Sequence, residues 1–248
     1  RYPVTAEDTS CWFICGVSVN LHNALVQDCD TFFQGDRGTL RAEHVTLNQC
    51  GTLGVDLGEG ASPHFTNSVF VGVTSLGSLP DLDGSHNGFY GSPAFGLNQI
   101  PATSSPFRSP GVGAGNHYLK SDSSFRSVGT TAINPALLTY LRKKTTQPPV
   151  VRSDLTTTTA TTLAPQAERD ADAPDLGYHY DPIDYIAYLD RYVGCNLTIN
   201  PATVIAYYDY PGFWLQDNAA VACTGTPLQP IRVVDYRGVQ EQPVKLGS

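Results

Sequence analysis

Ala24-Leu-Val-Gln-Asp-Cys29, Val45-Thr-Leu-Asn-Gln-Cys50 and Phe65-Thr-Asn-Ser-Val69 resemble one another and recur at intervals of 21 and 19 residues. Each carries a short run of β-branched or aromatic residues, and the Gly-rich stretches Gly35-Asp-Arg-Gly38 and Gly58-Glu-Gly60 separate them. A period of about 20 residues with one β run and one turn per unit marks a solenoid, in which stacked coils bury a core that no single coil encloses. An antiparallel sandwich shares the local strand and turn signals. The repeat decides for a parallel β-helix, with an earlier, shorter coil expected from Cys11 to Val19.

Composition fits an all-β chain. Only 15% of the residues are charged, while Gly (23) and Pro (18) are abundant, a mix that favours many turns over helical bundles. With 15 basic against 23 acidic residues the net charge is -8, and a nucleic-acid partner is excluded because binding phosphates needs a dense Lys/Arg face. No apolar run reaches the length of a membrane span, so direct membrane insertion is not expected. The chain starts at Arg1 and has no Met and no leader-like segment, which leads us to expect a processed or excised piece of something longer.

Along the chain, residues 1–144 read as the closing coils and cap of one solenoid. Within them Asn134-Pro135-Ala-Leu-Leu-Thr-Tyr-Leu-Arg-Lys-Lys144 predicts one helix, capped by Asn134, started by Pro135, with Leu137, Leu138 and Leu141 on one face and Arg142 to Lys144 at its C-terminal end. Residues 145–184 read as a Thr/Pro-rich connector and an Asp-rich loop. From about Tyr185 the runs Asn196-Leu-Thr-Ile199, Thr203-Val-Ile-Ala-Tyr-Tyr208, Gly212-Phe-Trp-Leu215 and Ile231-Arg-Val-Val234 predict the opening coils of a second β-helical module, over residues 185–248.

Ser121-Asp-Ser-Ser-Phe-Arg-Ser-Val-Gly-Thr130 and Arg169-Asp-Ala-Asp-Ala-Pro-Asp-Leu-Gly-Tyr-His-Tyr180, taken with the coil segments, resemble the C-terminal part of right-handed parallel β-helix repeat proteins of Planctomycetes and Verrucomicrobia. In that family the first segment closes the helix, and the second follows as Asp-x-Asp-x-x-Asp-Ile/Leu-Gly. Here Phe125-Arg-Ser-Val-Gly129 departs from the family's usual Ile-Asp-Ala-Gly, and Gly177-Tyr-His-Tyr180 replaces Gly-Ala-Tyr-Glu-Tyr. The resemblance spans residues 20–180. It implies a right-handed solenoid in a large bacterial protein, secreted or at the cell surface, and carries fold and location further than activity.

Candidate sites are few. Asp170, Asp172 and Asp175 offer oxygen ligands at the spacing of an extracellular calcium loop, but without the Gly turn and distal Glu of an EF-hand; the competing reading is a hydrogen-bonded turn. Tyr207, Tyr208 and Trp214 fall in a Tyr-rich stretch that suits stacking on sugar rings, against the alternative that these rings pack the module's interior. Among six cysteines none forms Cys-x-x-Cys, which disfavours zinc and thioredoxin-like chemistry. Cys29 and Cys50 stand at equivalent places of adjacent coils, about 4.8 Å apart. Distance permits a disulfide, yet parallel Cβ vectors fit its dihedral poorly, so a buried thiol ladder is favoured. Cys11 with Cys15, and Cys195 with Cys223, are the remaining disulfide candidates.

No Gly-x-Ser-x-Gly, His-Glu-x-x-His or Walker loop occurs, nor the Asn-Thr-Asp, Asp-Asp and Gly-His-Gly strings of pectin-type hydrolases. The expectation is a non-enzymatic structural module of a large extracellular protein: a spacer or assembly unit of a surface layer, fibre or adhesin. Its partners are then neighbouring copies or modules stacked end to end. The alternative is a carbohydrate-binding or polysaccharide-degrading β-helix module.

Overall fold

A computed structural model describes residues 17–35, 38–56, 61–79, 81–108, 115–208 and 212–236. The Cys11/Cys15 pair, most of the coil expected from Cys11 and the Gly58–Gly60 turn lie outside the described residues. The chain divides into two compact units, one of Arg1–Phe107, Leu119–Arg142 and Asp170–His179, the other of Arg108–Tyr118, Lys143–Arg169 and Tyr180–Ser248. Each is a stack of parallel β coils, about eight turns in all, as the repeat and the composition predict.

The first stack is built from β1 (Val17–Gln27), β2 (Thr31–Gly35), β3 (Gly38–Asn48), β4 (Thr52–Asp56), β5 (Ala61–Thr66), β6 (Val69–Val71), β7 (Ser75–Ser78), β8 (Asp83–Ser85), β9 (Gly88–Tyr90) and β10 (Ile100–Pro101). One 7-stranded sheet joins β10-β9-β6-β3-β5-β8 with β1 on β3, and a smaller sheet joins β2-β4-β7. Long strands bend at a corner instead of breaking. Asn23, His44, Asn67, His86 and Asn98 occupy that corner in successive coils, all with left-handed φ of 50–55°. Asn and His are among the residues that tolerate this region. A second corner follows at Asp28, Gln49, Gly72 and Gly91, also left-handed.

Register corrects the third repeat unit. Thr46 pairs with Val69, so Ser68 stands opposite Val45, while Phe65 pairs with Ala42 on the preceding face. The spacing from the second coil to the third is therefore 23 residues at this corner, as between His44 and Asn67. Matching by apolar character missed this because Ser68 is a buried polar residue with internal partners. Its Oγ accepts from Val45 N–H (3.2 Å) and donates to the Thr66 carbonyl (3.1 Å).

Inward side chains of the first stack form a core in which Phe65, Phe70, Phe89 and Phe95 meet at centroid distances of 5.1–5.8 Å. Each such ring, removed from water, contributes about 1.5–3 kcal/mol. Outward Val69 and Val71 are also buried, because Leu119, Phe125 and Leu176 pack over them. The two segments behind the family resemblance thus lie along the outer face of the coils, not across their end. Gly177, at φ 80°, is what lets the second segment approach: a Cβ there would stand 2.5 Å from Thr46 Oγ1 and 2.9 Å from Val69 Cγ2. Helix α1 (Pro135–Leu141) begins as predicted, with Asn134 Oδ1 accepting from Ala136 and Leu137 N–H, but ends at Leu141. Lys144 stands beyond it and donates to Asp181.

The second stack comprises β11 (Val150–Ser153), β12 (Thr156–Thr157), β13 (Thr161–Leu163), β14 (Tyr185–Tyr188), β15 (Asp190–Val193), β16 (Asn196–Ile199), β17 (Val204–Tyr207), β18 (Phe213–Gln216), β19 (Ala220–Cys223) and β20 (Arg232–Asp235). Its sheets run β11-β14-β17-β20, β12-β15-β18 and β13-β16-β19. The Thr-rich stretch expected to be a connector is therefore the stack's first coil. Threonine is β-branched, and its strand propensity is realised where neighbouring strands pair with it.

The interior of this stack mixes Leu163, Tyr185, Leu197, Ile199 and Ile205 with a buried ionic group. Arg152, in register with inward Ala187, donates from Nε and Nη2 to the fully buried Asp190, which also accepts from Tyr192 OH at 3.0 Å. Burial alone pulls the guanidinium down; the Asp190 hydrogen bond and charge outweigh it and hold Arg152 above its ordinary range. Burial, then the Asp190 charge, pushes the Tyr192 hydroxyl well up. Asp184, fully buried, accepts from the N–H groups of Gln166 (2.8 Å), Ala167 (2.9 Å) and Val204 (2.7 Å).

Candidate functional site

Strand alternation sends Asn20, His22, Arg41, Glu43, His64 and Asp83 to the outer face of β1, β3, β5 and β8, since Val19, Leu21, Leu40, Ala42 and Phe65 point inward. Stacking then aligns Asn20, Arg41, His64 and Asp83 in one column and His22 with Glu43 in the next. His22 Nε2 lies 3.3 Å from Glu43 Oε2, and His64 Nδ1 lies 3.5 Å from Asp83 Oδ2. His22, His64 and Asp83 are more than one-third exposed, so these pairs contribute little to stability, about 0–1 kcal/mol each. The result is an accessible strip of imidazoles, carboxylates and one guanidinium, suited to hydrogen bonding a polar partner laid across the coils. Sequence reading missed it, although counting outward positions at the repeat interval finds it.

Behind the corner, charge turns inward. His44 is fully buried, its Nε2 3.0 Å from Asn67 Nδ2, while its Nδ1 has no hydrogen-bond partner among the described residues. Burial, then the nearby His179, holds the His44 imidazole well below its ordinary value of 6.5. The His179 ring lies edge-on to His44 at 5.2 Å, with Nε2 2.6 Å from Asp170 Oδ2 and Nδ1 2.9 Å from the Gly177 carbonyl. Asn23 and Asn67 act here as side-chain substitutes for a strand edge: Asn23 exchanges two hydrogen bonds with the His179 backbone, Asn67 two with the Thr130 backbone.

Asp170, Asp172 and Asp175 each have partners of this kind. Asp170 Oδ2 also accepts from Asp175 N–H (3.0 Å); Asp175 accepts from Ser127 N–H (2.7 Å) and Arg126 Nη1 (3.1 Å); Asp172 accepts from Ser127 Oγ (2.9 Å). Asp172 and Asp175 anchor the second covering segment to the first, while Asp170 bonds within its own segment. Among the described residues no group of three or more His, Cys, Asp and Glu is placed to hold a metal ion.

Of the expected glycan contacts, Trp214 is exposed on β18, stacked across coils on Arg191, whose guanidinium lies 5.9 Å from the ring centre and 3.8 Å from Asp154 Oδ1. Tyr207 is exposed at the end of β17. Tyr208 is held between Tyr188 (5.7 Å) and Tyr236 (4.6 Å). Trp214 and Tyr207 stand in different sheets. The Cys195/Cys223 pairing is corrected: both are free thiols, with Cys223 opposite Ile199, four positions from Cys195 and about 13 Å along the strand, beyond disulfide reach.

Among the described residues no helix is long and apolar enough to cross a membrane. No protein-family model, curated protein or solved structure matches the chain.

Proposed function

We propose that this chain is a non-catalytic structural module of a large extracellular protein, a spacer or assembly unit that stacks end to end with neighbouring copies or modules. The observation that carries the reading is the last described coil. Strands β18, β19 and β20 pair on one side only among the described residues, and they expose Trp214 (45%), Val221 (46%) and Val233 (61%). Parallel strands with a free edge beside apolar side chains are completed by another strand of the same kind. Support also comes from the acids, since Asp170, Asp175, Asp184 and Asp190 are all engaged in holding their own stack together. A bacterial surface or secreted setting of the Planctomycetes and Verrucomicrobia type agrees with the resemblance of residues 121–130 and 169–180.

Sedimentation velocity over a range of concentrations, with electron microscopy of the same samples, tests the reading. Expected are end-to-end assemblies that grow with concentration and that a Val221→Lys/Val233→Lys double substitution disperses. Monomers at every concentration, with or without the substitutions, overturn it.

The exposed Trp214, with Arg191 over its ring and Asp154 beside that guanidinium, favours a second reading as a carbohydrate-binding module, because an aromatic face flanked by ionic groups suits a sugar ring and its hydroxyls. Tryptophan fluorescence should then shift with polysaccharide and lose the shift in Trp214→Ala. Indifference to a broad panel of neutral and acidic glycans removes this reading.

A further inference from the structure

Cys29 and Cys50 hold equivalent places in the first two coils, since Gln27 pairs with Asn48 before them and Thr31 with Thr52 after them. Both lie in the turn that follows the second left-handed corner, where Asp28 N–H donates to the Asn48 carbonyl (3.0 Å) and Gly51 N–H to the Cys29 carbonyl (2.8 Å). That placement removes the objection raised by stacked strands. Cysteines facing each other within a parallel ladder have parallel Cβ vectors, whereas turn residues are released from the pleat and their sulfurs are free to converge. They do converge: the two thiols approach to 2.8 Å, closed off among Phe32, Phe33, Val45, Leu47 and Leu53, with Cys29 5% exposed and Cys50 0%. Adjacent coils lie about 4.8 Å apart, within the Cα separation that a disulfide spans.

We propose that Cys29 and Cys50 form an oxidation site whose product is a disulfide fastening the first coil to the second. The oxidant is a small disulfide such as oxidised glutathione. Cys29, the less deeply buried, attacks as thiolate one sulfur of the oxidant; the oxidant's S–S bond breaks and one glutathione thiolate leaves. The Cys50 thiolate then attacks the Cys29 sulfur, a protein S–S bond forms, and the second glutathione thiolate departs. Two protons pass from the cysteines to the two glutathione thiols, so the cysteines lose the two electrons that the oxidant gains. In the closed coil the Cys50 thiol is held below its ordinary range, chiefly by its hydrogen bond with Cys29 and against the opposing push of burial. Because both sulfurs are shielded, the reaction belongs to the stage when the first coil is still winding or has opened.

The bond closes a loop of 21 residues and restricts the unfolded chain more than the folded one. To test it, the full chain is unfolded in reducing denaturant and refolded across a series of reduced-to-oxidised glutathione ratios. Free thiols are then alkylated and the trypsin digest is mapped by fragmentation mass spectrometry; Arg37 and Arg41 place Cys29 and Cys50 in different peptides, and because Cys11 and Cys15 share the peptide of Cys29, its fragments assign which cysteine is linked. A Cys29–Cys50 linked pair, lighter than the two reduced peptides by two hydrogens and rising with the oxidised fraction, is the expected result. The oxidised protein should also melt higher than its dithiothreitol-treated form, a difference that Cys29→Ala abolishes. Recovery of both cysteines alkylated at every ratio, or joined to other cysteines such as Cys11, overturns the proposal, and this mapping of the unsubstituted chain decides it even where Cys29→Ala fails to fold.

Discussion

The two stacks solve the same problem with opposite interiors. In the first, four Phe rings fill the coil and the corner polar groups are tied to segments that cover the outside. In the second, an arginine, an aspartate and a tyrosine occupy part of the interior, and the last described coil leaves apolar side chains exposed. A hydrophobic column is tolerant of small losses, because each ring adds its own burial energy. An ionic group behaves as one unit, since removing a member leaves the others desolvated and unpaired. The first stack is therefore built for stability by accumulation, the second by mutual dependence.

Paired substitutions probe this contrast most strongly. Phe70→Ala removes a ring that is 1% exposed and touches three others, at a cost of about 3–5 kcal/mol. Asp190→Ala leaves Arg152 without its carboxylate in the interior and should cost a similar amount, about 3–5 kcal/mol. What separates the two is rescue. Removing the ionic group as a whole, in Arg152→Met/Asp190→Leu/Tyr192→Phe, should recover much of the Asp190→Ala loss, because no charge is then left buried. Hydrogen exchange read peptide by peptide assigns each loss to its stack. Failure of the triple substitution to recover stability breaks the account of the second interior.

Acidification should act next on the corner of the first stack, which buries His44. Facing that ring are His179 and His22, both of which disfavour a second positive charge, and the backbone carbonyls of Asp175 and Gly177, which favour one. Asp170 pairs with His179 behind it. The folded value is depressed, so His44 carries no pH dependence above its unfolded value of 6.5; stability falls as pH drops from there towards the folded value, with a slope approaching about 1.4 kcal/mol per pH unit. Urea midpoints measured between pH 8 and pH 5, read on peptides of residues 38–71, should show this fall, and His44→Asn should flatten it. Asparagine already fills the same left-handed corner at positions 23 and 67, which makes it the substitution least disturbing to the backbone. An unchanged slope in His44→Asn removes His44 as its source.

Strand runs at Val45–Leu47 and Val204–Tyr207, the capped helix start at Asn134 and the parallel coil period were legible because each is a local preference that the fold keeps. What escaped was set by partners distant in sequence. Ser68 looks like a turn residue until Asn87 and Val45 satisfy it; Thr156 and Thr161 look like linker until Arg191 and Leu197 pair with them. The Asn/His corner column was visible as residue types at intervals of 21, 23, 19 and 12, yet an apolar alignment does not weigh polar positions. The strip of His22, Glu43, His64 and Asp83 escaped likewise, as outward positions are assigned only once the register is known. Asp170, Asp172 and Asp175 were legible as a cluster, whereas the partners of Asp172 and Asp175 were not, since Arg126 and Ser127 lie more than 40 residues away in the chain.

Trp214 gives the smallest expected change and the sharpest use of the contrast. At 45% exposure, with Arg191 over its ring, Trp214→Ala should cost a dilute monomer only about 1 kcal/mol, well below Phe70→Ala. If β18 to β20 are completed by a neighbouring copy, the ring becomes buried in the assembly and its loss weakens association as well as folding. The difference in melting temperature between Trp214→Ala and the unsubstituted chain should then widen as protein concentration rises, because association stabilises only the folded state that takes part in it. Phe70→Ala, whose ring lies inside its own stack, should show a constant difference over the same range. A concentration-independent difference for both residues would mean that the exposed coil of the second stack meets only solvent, and the contrast would then be one of interiors alone.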